Sequence, residues 1–310
     1  MRFHSTFLVS ITEEDDGVST KNSALIMPKP PFLRRFTTIP LLGICLLWSG
    51  GLIALEPPDS GRQSSASNTE ISPAKKLSAR EQSEALIPWE KLTDQAQEKL
   101  QGVLSNSSVF HRSPVEQLQC DQEVYLHLIR YPELVVNMWE LMGVSKLRMA
   151  REQDFVLIID DGYGTNSQME LVYGNSNLHI FYAEGSYKGS VITTESKGRV
   201  VLILESEKTV KDGKPVISHR LDMFIQFDNS TNRLLVKTLQ GLFLKMVDIN
   251  FAETSKFIGQ IDEIIRENPD GMKRLTDRLT RVQTPIRKKF TTLVDHANAE
   301  YVRIATTEDK

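Results

Sequence analysis

The sequence predicts an α+β fold in which a curved antiparallel sheet is covered by one long helix near the C-terminus. Residues 231–267 contain no proline and only two glycines, and their apolar residues recur in alternating steps of three and four, as one face of a helix requires. Strand-like segments between 144 and 227 come before this stretch. Short turns separate them without intervening helices, which favours antiparallel pairing. An uncharged segment at 36–55 precedes them all.

This uncharged segment has the pattern of a transmembrane anchor or of the apolar part of a signal peptide. It holds twenty residues without a charge, and the flank at 27–35 carries three positive charges and no negative ones. Twenty apolar residues can span a bilayer, and no strong cleavage site follows, so we predict a retained anchor. A cleaved signal peptide and a secreted body remain the alternative. Basic flanks stay in the cytoplasm, which places the body on the periplasmic side of the membrane.

The residues around this segment divide into an N-terminal extension and a linker. Residues 1–35 combine an acidic, polar stretch with the basic flank, and we interpret 1–26 as an extension that precedes the true start at Met27. Residues 56–112 are predicted to be a flexible linker, because proline, serine and charged residues dominate up to about residue 85. A short helix is predicted within this linker, at 87–104.

The folded body is predicted to occupy residues 113–267. It opens with an imperfect strand, and residues 122–142 then predict two helices. These are hinged at Tyr131 and Pro132, because proline disfavours helix at the residue before it. The body therefore begins with a strand and a helix pair, and its remaining strands follow without further helices.

The pattern of the strands predicts which side of the sheet faces the core. Hairpin turns are predicted at 174–177 and 211–214. In the last strand, at 215–227, apolar and polar residues alternate, so one face should meet the long helix and the other should meet solvent. Phe224 interrupts the polar side of this strand, and Val201 and Ile203 blur the alternation of the strand before it.

Two further predictions concern the C-terminal part of the chain. The apolar stripe of the long helix steps from Met246 to Val247 and crosses Asp248 and Asn250, which predicts a bend or break there. Residues 268–310 form two helical segments with many charges, and we predict a peripheral C-terminal helical extension.

Composition and motifs exclude several functions. The formal net charge is −3, so the chain lacks the basic surface that binding to nucleic acid depends on. The six histidines include no pair at metal-ligand spacing, and no Walker loop, dinucleotide fingerprint or serine elbow occurs. We therefore predict no metal, no cofactor and no catalytic residue. Cys120 is interpreted as a small buried hydrophobe.

Several runs of residues carry a resemblance to a known family: Tyr131-Pro132-Glu133 to Trp139-Glu140, 182–189, Lys237-Thr238-Leu239 and Asn250-Phe251. Together with the order of a strand, a helix pair, antiparallel strands and one long helix, they make residues 113–267 resemble the START-related (SRPBCC) domains of helix-grip fold. More closely, the chain resembles uncharacterised bacterial families in which a signal or anchor precedes such a body. The resemblance implies a cavity between the sheet and the helix for an apolar ligand.

His219 is the most informative single residue, because it lies on the apolar face of the last strand. A buried imidazole needs hydrogen-bond partners, so His219 either orients a ligand in the cavity or is a satisfied core histidine. The candidate ligand-binding residues are His219, Leu221 and Met223 on the last strand, Tyr182 and Glu184 on an earlier strand, and Phe243 and Met246 on the long helix.

These features predict a membrane-tethered, extracytoplasmic and non-enzymatic module that binds a lipid or another apolar small molecule. The membrane is the expected partner through residues 36–55. A structural or interaction protein of the cell envelope with a filled core is the first alternative. A cyclase- or hydrolase-type enzyme that uses the cavity is the second.

Overall fold

The computed structural model describes residues 6–8, 26–28, 77–188, 195–211, 213–228 and 230–308. The predicted anchor at 36–55 lies outside the described residues. So does most of the predicted extension at 1–26.

The described residues contain ten strands, seven α-helices and one short 3-10 helix at Trp89–Lys91. The strands are β1 (Thr6–Leu8), β2 (Ile26–Pro28), β3 (Val109–Arg112), β4 (Glu116–Gln119), β5 (Arg148–Gln153), β6 (Val156–Asp160), β7 (Thr165–Gly174), β8 (Leu178–Tyr187), β9 (Ser196–Lys211) and β10 (Lys214–Phe227). The helices are α1 (Ala79–Glu84), α2 (Asp94–Asn106), α3 (Gln122–Arg130), α4 (Glu133–Leu141), α5 (Ser230–Glu267), α6 (Pro269–Asp277) and α7 (Thr284–Glu308).

Strands β3 to β10 form one antiparallel sheet of eight strands. Its order is β3-β10-β9-β8-β7-β6-β5, and β4 also pairs with β10. The chain therefore begins at one edge, crosses through α3 and α4 to the other edge, and returns strand by strand. This topology confirms the predicted α+β fold. Strands β1 and β2 pair separately with each other.

Local sequence explains where these elements end. Asp121 caps α3, since its carboxylate accepts the backbone N–H groups of Glu123 and Val124 at 2.9 and 3.0 Å. Helix α3 ends at Arg130 and α4 begins at Glu133, which confirms the predicted hinge. The β9–β10 turn contains Gly213 at a φ of 72°, a conformation that glycine adopts without strain.

The close approach of β7 to β8 requires a glycine at position 185. A Cβ atom added there would lie 2.5 Å from the Cβ of Ser167 and 2.7 Å from the carbonyl oxygen of Asn166. No real side chain fits that space, so Gly185 allows these two long strands to pack closely.

The inner face of the sheet packs against α3, α4, α5, α6 and α7 in one continuous core. Helix α5 runs unbroken over 38 residues, so of the predicted bend or break near Val247 the break is wrong. The polar residue at that point has a partner on the sheet, since Asp248 Oδ1 lies 2.7 Å from Nε2 of His111 on β3. A polar interruption in the stripe therefore marks a contact rather than the end of a helix.

The C-terminal helices α6 and α7 belong to this core, so the prediction that they are peripheral is wrong. Their charged residues lie on the solvent side, while their apolar residues are buried against α3 and α5. The buried residues include Met272, Leu275, Leu279, Ile286, Phe290, Leu293 and Val294. Asp262 of α5 also binds α7, because the hydroxyl of Tyr301 on α7 donates to the Asp262 carboxylate at 2.8 Å.

The outer face of the sheet is covered as well, which corrects the prediction that it meets solvent. Helix α2 and the segment at 86–92 that precedes it lie over β8, β9 and β10 and form a second core. Phe224, Val201 and Ile203 are the residues that disturbed the strand alternation, and all three are buried in this second core. The described part of the predicted linker is therefore a packed layer. The buried members of the second core are Ile87, Leu92, Ala96, Leu100, Val103, Leu104, Ile180, Tyr182, Val201, Ile203 and Phe224.

We predict that Leu100→Ala destabilises the protein by about 2–5 kcal/mol, because Leu100 is fully buried in the second core and its removal leaves a cavity. Urea unfolding followed by tryptophan fluorescence measures the loss. Gln101→Ala on the exposed side of the same helix is the matched control. Equal stabilities for the two variants would show that α2 does not contribute to the core.

Candidate functional site

The candidate site is the inner surface of β10 together with the middle of α5. His219 and Met223 are buried on this surface, and Leu221 between them is half-buried against the core. Phe243 and Met246 on α5 are half-buried, and Phe243 packs against the inner core. Four of the seven predicted ligand-binding residues thus belong to the layer between sheet and helix, and Met246 is half-buried on α5.

The other two predicted residues lie on the opposite face of the sheet. Tyr182 is 5% exposed within the second core, and its hydroxyl donates to Glu184 at 2.8 Å. Successive side chains of a strand point to alternate faces, so residues 182 and 184 of β8 cannot reach the space that Phe181 and Ala183 line. A pocket between the sheet and α5 therefore excludes Tyr182 and Glu184.

His219 lies at the centre of a buried chain of hydrogen bonds. Its Nδ1 is 2.9 Å from the hydroxyl of Tyr125 on α3, and its Nε2 is 2.7 Å from Oγ of Ser255 on α5. The Tyr125 hydroxyl is also 2.7 Å from Oγ of Ser206 on β9. The chain joins four elements, and all four residues are buried.

The donors and acceptors of this hydrogen-bond chain can be assigned in one consistent direction. The Ser255 hydroxyl donates to the carbonyl of Phe251 at 2.8 Å, so its oxygen accepts the N–H at Nε2 of His219. Nδ1 then accepts from Tyr125, whose oxygen accepts from Ser206. Burial lowers the pKa of His219 to about 4, so the imidazole is neutral, as this direction requires. Burial also raises the pKa of Tyr125.

Of the two interpretations of His219, this geometry supports a core histidine whose hydrogen bonds are all made within the protein. Both ring nitrogens bond to protein groups, so neither is left to polarise or deprotonate a ligand. The phenyl ring of Phe251 also covers the imidazole, with ring centroids 4.7 Å apart. His219 therefore fixes α3 and α5 to the sheet.

Sequence reasoning missed the three partners of His219, although a signal was present for two of them. Tyr125 follows Val124 and precedes Leu128 on the buried side of α3. Ser255 lies four residues after Phe251 and three before Ile258, within the helical period of α5. Ser206 gave no signal, because pairing its hydroxyl with Tyr125 depends on the packing of α3 against β9.

Outside this chain of hydrogen bonds, the layer between α5 and the sheet is apolar, and some of its side chains remain partly accessible to solvent. On α5, Phe243, Leu244 and Val247 pack against the inner core but remain half-buried. On the sheet, Leu221 of β10 has the same character. These four residues define the apolar margin of the site. The His111–Asp248 pair lies beside it and is partly exposed.

The remaining ionisable residues of the inner layer pair within the protein. Glu133 and Arg151 form a buried ion pair at 2.6 Å that joins α4 to β5. Cys120 is fully buried, as predicted, and burial raises the pKa of its thiol well above the ordinary range. Within the described ranges, no group of three or more histidine, cysteine or acidic residues could hold a metal ion.

Neither the known protein families nor the curated proteins include a match to this chain. Solved structures with distant similarity include a conserved protein from Geobacillus kaustophilus, with 9% identity and a TM-score of 0.38 over 49% of this chain and 96% of that chain. A putative uncharacterized protein from Rhizobium leguminosarum shows 12% identity and a TM-score of 0.28, over 46% of this chain and 95% of that one. For Ara h 8.0201 the identity is 10% and the TM-score is 0.26, over 45% of this chain and 96% of that one.

No helix within the described ranges is both long enough and apolar enough to cross a membrane.

We predict that the protein loses stability as the pH falls from about 6.5 to about 4. Burial lowers the pKa of His127, His179 and His219 from 6.5 to about 4 each. Between these values the unfolded chain binds protons that the folded chain does not, so stability is greatest above pH 6.5. It should fall by ~1.4 kcal/mol per pH unit for each histidine.

Urea unfolding at several pH values measures this slope. His219→Gln removes one titrating group, so its slope should be smaller than that of the wild type by one histidine's share. Identical slopes would contradict the assignment of a neutral, buried His219.

We predict that Tyr125→Phe costs about 1–3 kcal/mol, because it leaves Nδ1 of His219 without a donor inside the core. Chemical unfolding measures this change. Tyr163→Phe, at an exposed tyrosine, is the control. If both variants had the stability of the wild type, the hydrogen-bond chain would not stabilise the fold.

Proposed function

We propose that this protein is a membrane-tethered, extracytoplasmic module that binds a lipid or another apolar small molecule between α5 and the inner face of the sheet. The observation that carries the proposal is the apolar margin formed by Phe243, Leu244, Val247 and Leu221. These side chains touch the core yet keep part of their surface accessible, as the lining of an apolar ligand site would.

The sheet surface beneath this margin supports the same ligand class. Phe181, Val200, Leu202, Met223 and Ile225 form its inner side and carry no polar side-chain group. A charged or strongly hydrogen-bonding ligand would find no partner there and would lose its hydration. An acyl chain or a flat hydrocarbon would lose nothing comparable and would bury its own apolar surface.

The state of His219 supports a non-enzymatic role. A cyclase- or hydrolase-type reaction needs an acid or base within reach of the substrate. The imidazole of His219 instead bonds to Tyr125 and Ser255 through its two nitrogens. The role we assign to the site is therefore binding rather than chemistry.

Membrane attachment rests on the sequence pattern at 27–55, where a basic flank precedes twenty uncharged residues. A binding module held at a bilayer surface has a nearby source of apolar ligand. Topology can be tested by adding a cysteine reagent that does not cross membranes to intact cells that express a Ser65→Cys variant. Labelling from outside is the expected result, and labelling only after lysis would place the body in the cytoplasm.

We predict that Phe243→Asp lowers the amount of bound lipid by about tenfold or more, because it places a carboxylate in the apolar margin. The full chain is purified from membranes, and the fatty-acid content per protein is measured by mass spectrometry after organic extraction. Displacement of a fluorescent fatty acid gives the affinity.

The control for this experiment is Ile249→Asp on the same helix, where the isoleucine is 42% exposed. This variant should bind as the wild type does. Equal losses in both variants would indicate a general effect on α5. If the wild type carried no lipid and bound no fatty acid, the proposal would be wrong.

The second candidate function is a structural or interaction protein with a filled core. It is favoured by the extent to which α3, α4, α6 and α7 already occupy the inner layer. Absence of lipid from the wild type, together with a strong loss of stability in Phe243→Ala, would support this alternative.

A further inference from the structure

Polar groups border the apolar margin on β3, which lies at one edge of the eight-stranded sheet. His111 of β3 is paired with Met223 of β10. Ser113 continues this pairing, because its backbone N–H donates to the carbonyl of Leu221 at 2.9 Å. Leu221 belongs to the apolar margin, and Met223 belongs to the sheet surface beneath it. The end of β3 is therefore next to the proposed ligand site.

One of these polar groups is buried without a hydrogen-bond partner. Successive residues of a strand point to alternate faces. Arg112 bonds to Asp222 in the outer layer. His111 bonds to Asp248 of α5, on the inner side. The alternation therefore turns the side chain of Ser113 toward the inner layer. Ser113 is 2% exposed, and its hydroxyl oxygen makes no hydrogen bond within the described part of the chain. A buried hydroxyl in this state costs free energy that a ligand group can recover.

The carboxylate of Asp248 is the second polar group at this place. Its Oδ1 accepts from Nε2 of His111 at 2.7 Å, and a carboxylate has about four acceptor positions, so most of them remain. The Asp248 side chain is 30% exposed, which leaves room for a ligand atom to reach it. Asp248 follows Leu244 by one helical turn and Val247 by one residue, so it lies where the apolar margin ends.

We propose that the site holds a single-chain lipid with a neutral head group that carries two hydroxyls, as in a monoacylglycerol. This inference rests on the proposed function and adds how the head group is recognised. The acyl chain lies on the apolar sheet surface. One hydroxyl donates to the carboxylate of Asp248, and the other accepts from the hydroxyl of Ser113.

The spacing of the two protein groups fits such a head group. His111, which holds Asp248, and Ser113 are two residues apart on the same side of the strand, or about 7 Å along it. Two hydroxyls on neighbouring carbons, each with a hydrogen bond of about 2.8 Å, extend over this distance. A single polar atom would bond to one of the two groups and leave the other as it is.

Charge disfavours an anionic head group at this place. A fatty-acid carboxylate or a phosphate would lie beside the carboxylate of Asp248, and two like charges at a partly buried site repel each other. Lys245 is the basic residue of this part of α5, and it is exposed, so an ion pair with it gains little. A neutral head group with two hydroxyls satisfies both polar groups and introduces no charge.

The first test compares two ligands that have the same acyl chain. The full chain is purified and freed of bound lipid, and monooleoylglycerol and oleic acid each displace a fluorescent fatty acid from it at pH 8. Monooleoylglycerol should bind about tenfold tighter than oleic acid. Equal affinities would overturn the assignment of the head group and leave the apolar site standing. If neither ligand bound, the assignment and the proposed function would both be wrong.

The second test removes the buried hydroxyl. Ser113→Ala should lower the preference for monooleoylglycerol over oleic acid about fivefold. The ligand-free variant should resist urea at least as well as the wild type, because the hydroxyl has no partner to lose. Ser105→Ala, at an exposed serine of α2, is the matched control and should keep the full preference. A full preference in Ser113→Ala as well would overturn the proposal.

The third test removes the charge of Asp248 and keeps its shape. The amide oxygen of Asp248→Asn still accepts from His111, so the contact between α5 and β3 is retained. Oleic acid should bind about tenfold tighter to this variant than to the wild type, because the repulsion is gone. Asp154→Asn, at an exposed position in the β5–β6 turn, is the control and should bind as the wild type does. If Asp248→Asn changed the affinities for both ligands equally, Asp248 would act through the packing of α5, and the proposal would be overturned.

Discussion

The structure depends on the burial of both faces of its central strands. Strands β8, β9 and β10 carry apolar side chains in both directions, with Leu202 and Met223 facing inward and Val201 and Phe224 facing outward. Each such side chain contributes about 1.5–3 kcal/mol when it is removed from water. The sheet therefore needs a helical layer on each side. Helices α3 to α7 supply the inner layer, and α2 with the segment at 86–92 supplies the outer one.

Burial on both faces constrains the polar groups that lie between the layers. In the inner layer, His219 connects α3, α5 and the sheet through Tyr125 and Ser255. In the outer layer, Arg112 binds Asp222 through two bonds of 2.9 and 2.8 Å. These contacts satisfy groups that would otherwise be costly to bury, and those of His219 also fix where α3 and α5 lie on the sheet.

Only the part of the candidate site that lies on the inner face of the sheet could be predicted from the sequence. Strand alternation was enough to place His219, Leu221 and Met223 together, and helical spacing was enough to add Phe243. The same alternation rule, applied across β8, would have separated Tyr182 from this group, since Phe181 and Ala183 flank it on the inner side. The role of His219 could not be predicted, because its partners come from α3, β9 and α5, which are distant in the sequence.

By itself, the sequence determined the order of helices and strands in the body, the hinge at Tyr131 and Pro132, the hairpin turns and the length of α5, because these depend on periodicity, proline and glycine within a few residues. The tertiary structure alone decided which surfaces are covered. From the sequence, Phe224 in β10 is a local irregularity in the strand pattern and Leu100 in α2 belongs to a short helix within a linker. Both are buried in the second core, because two segments more than a hundred residues apart pack against each other. Similarly, α6 and α7 carry enough charge to suggest a peripheral position, yet one side of each is buried. Local patterns show that a surface is apolar, but the element that covers it is selected by packing over the whole chain.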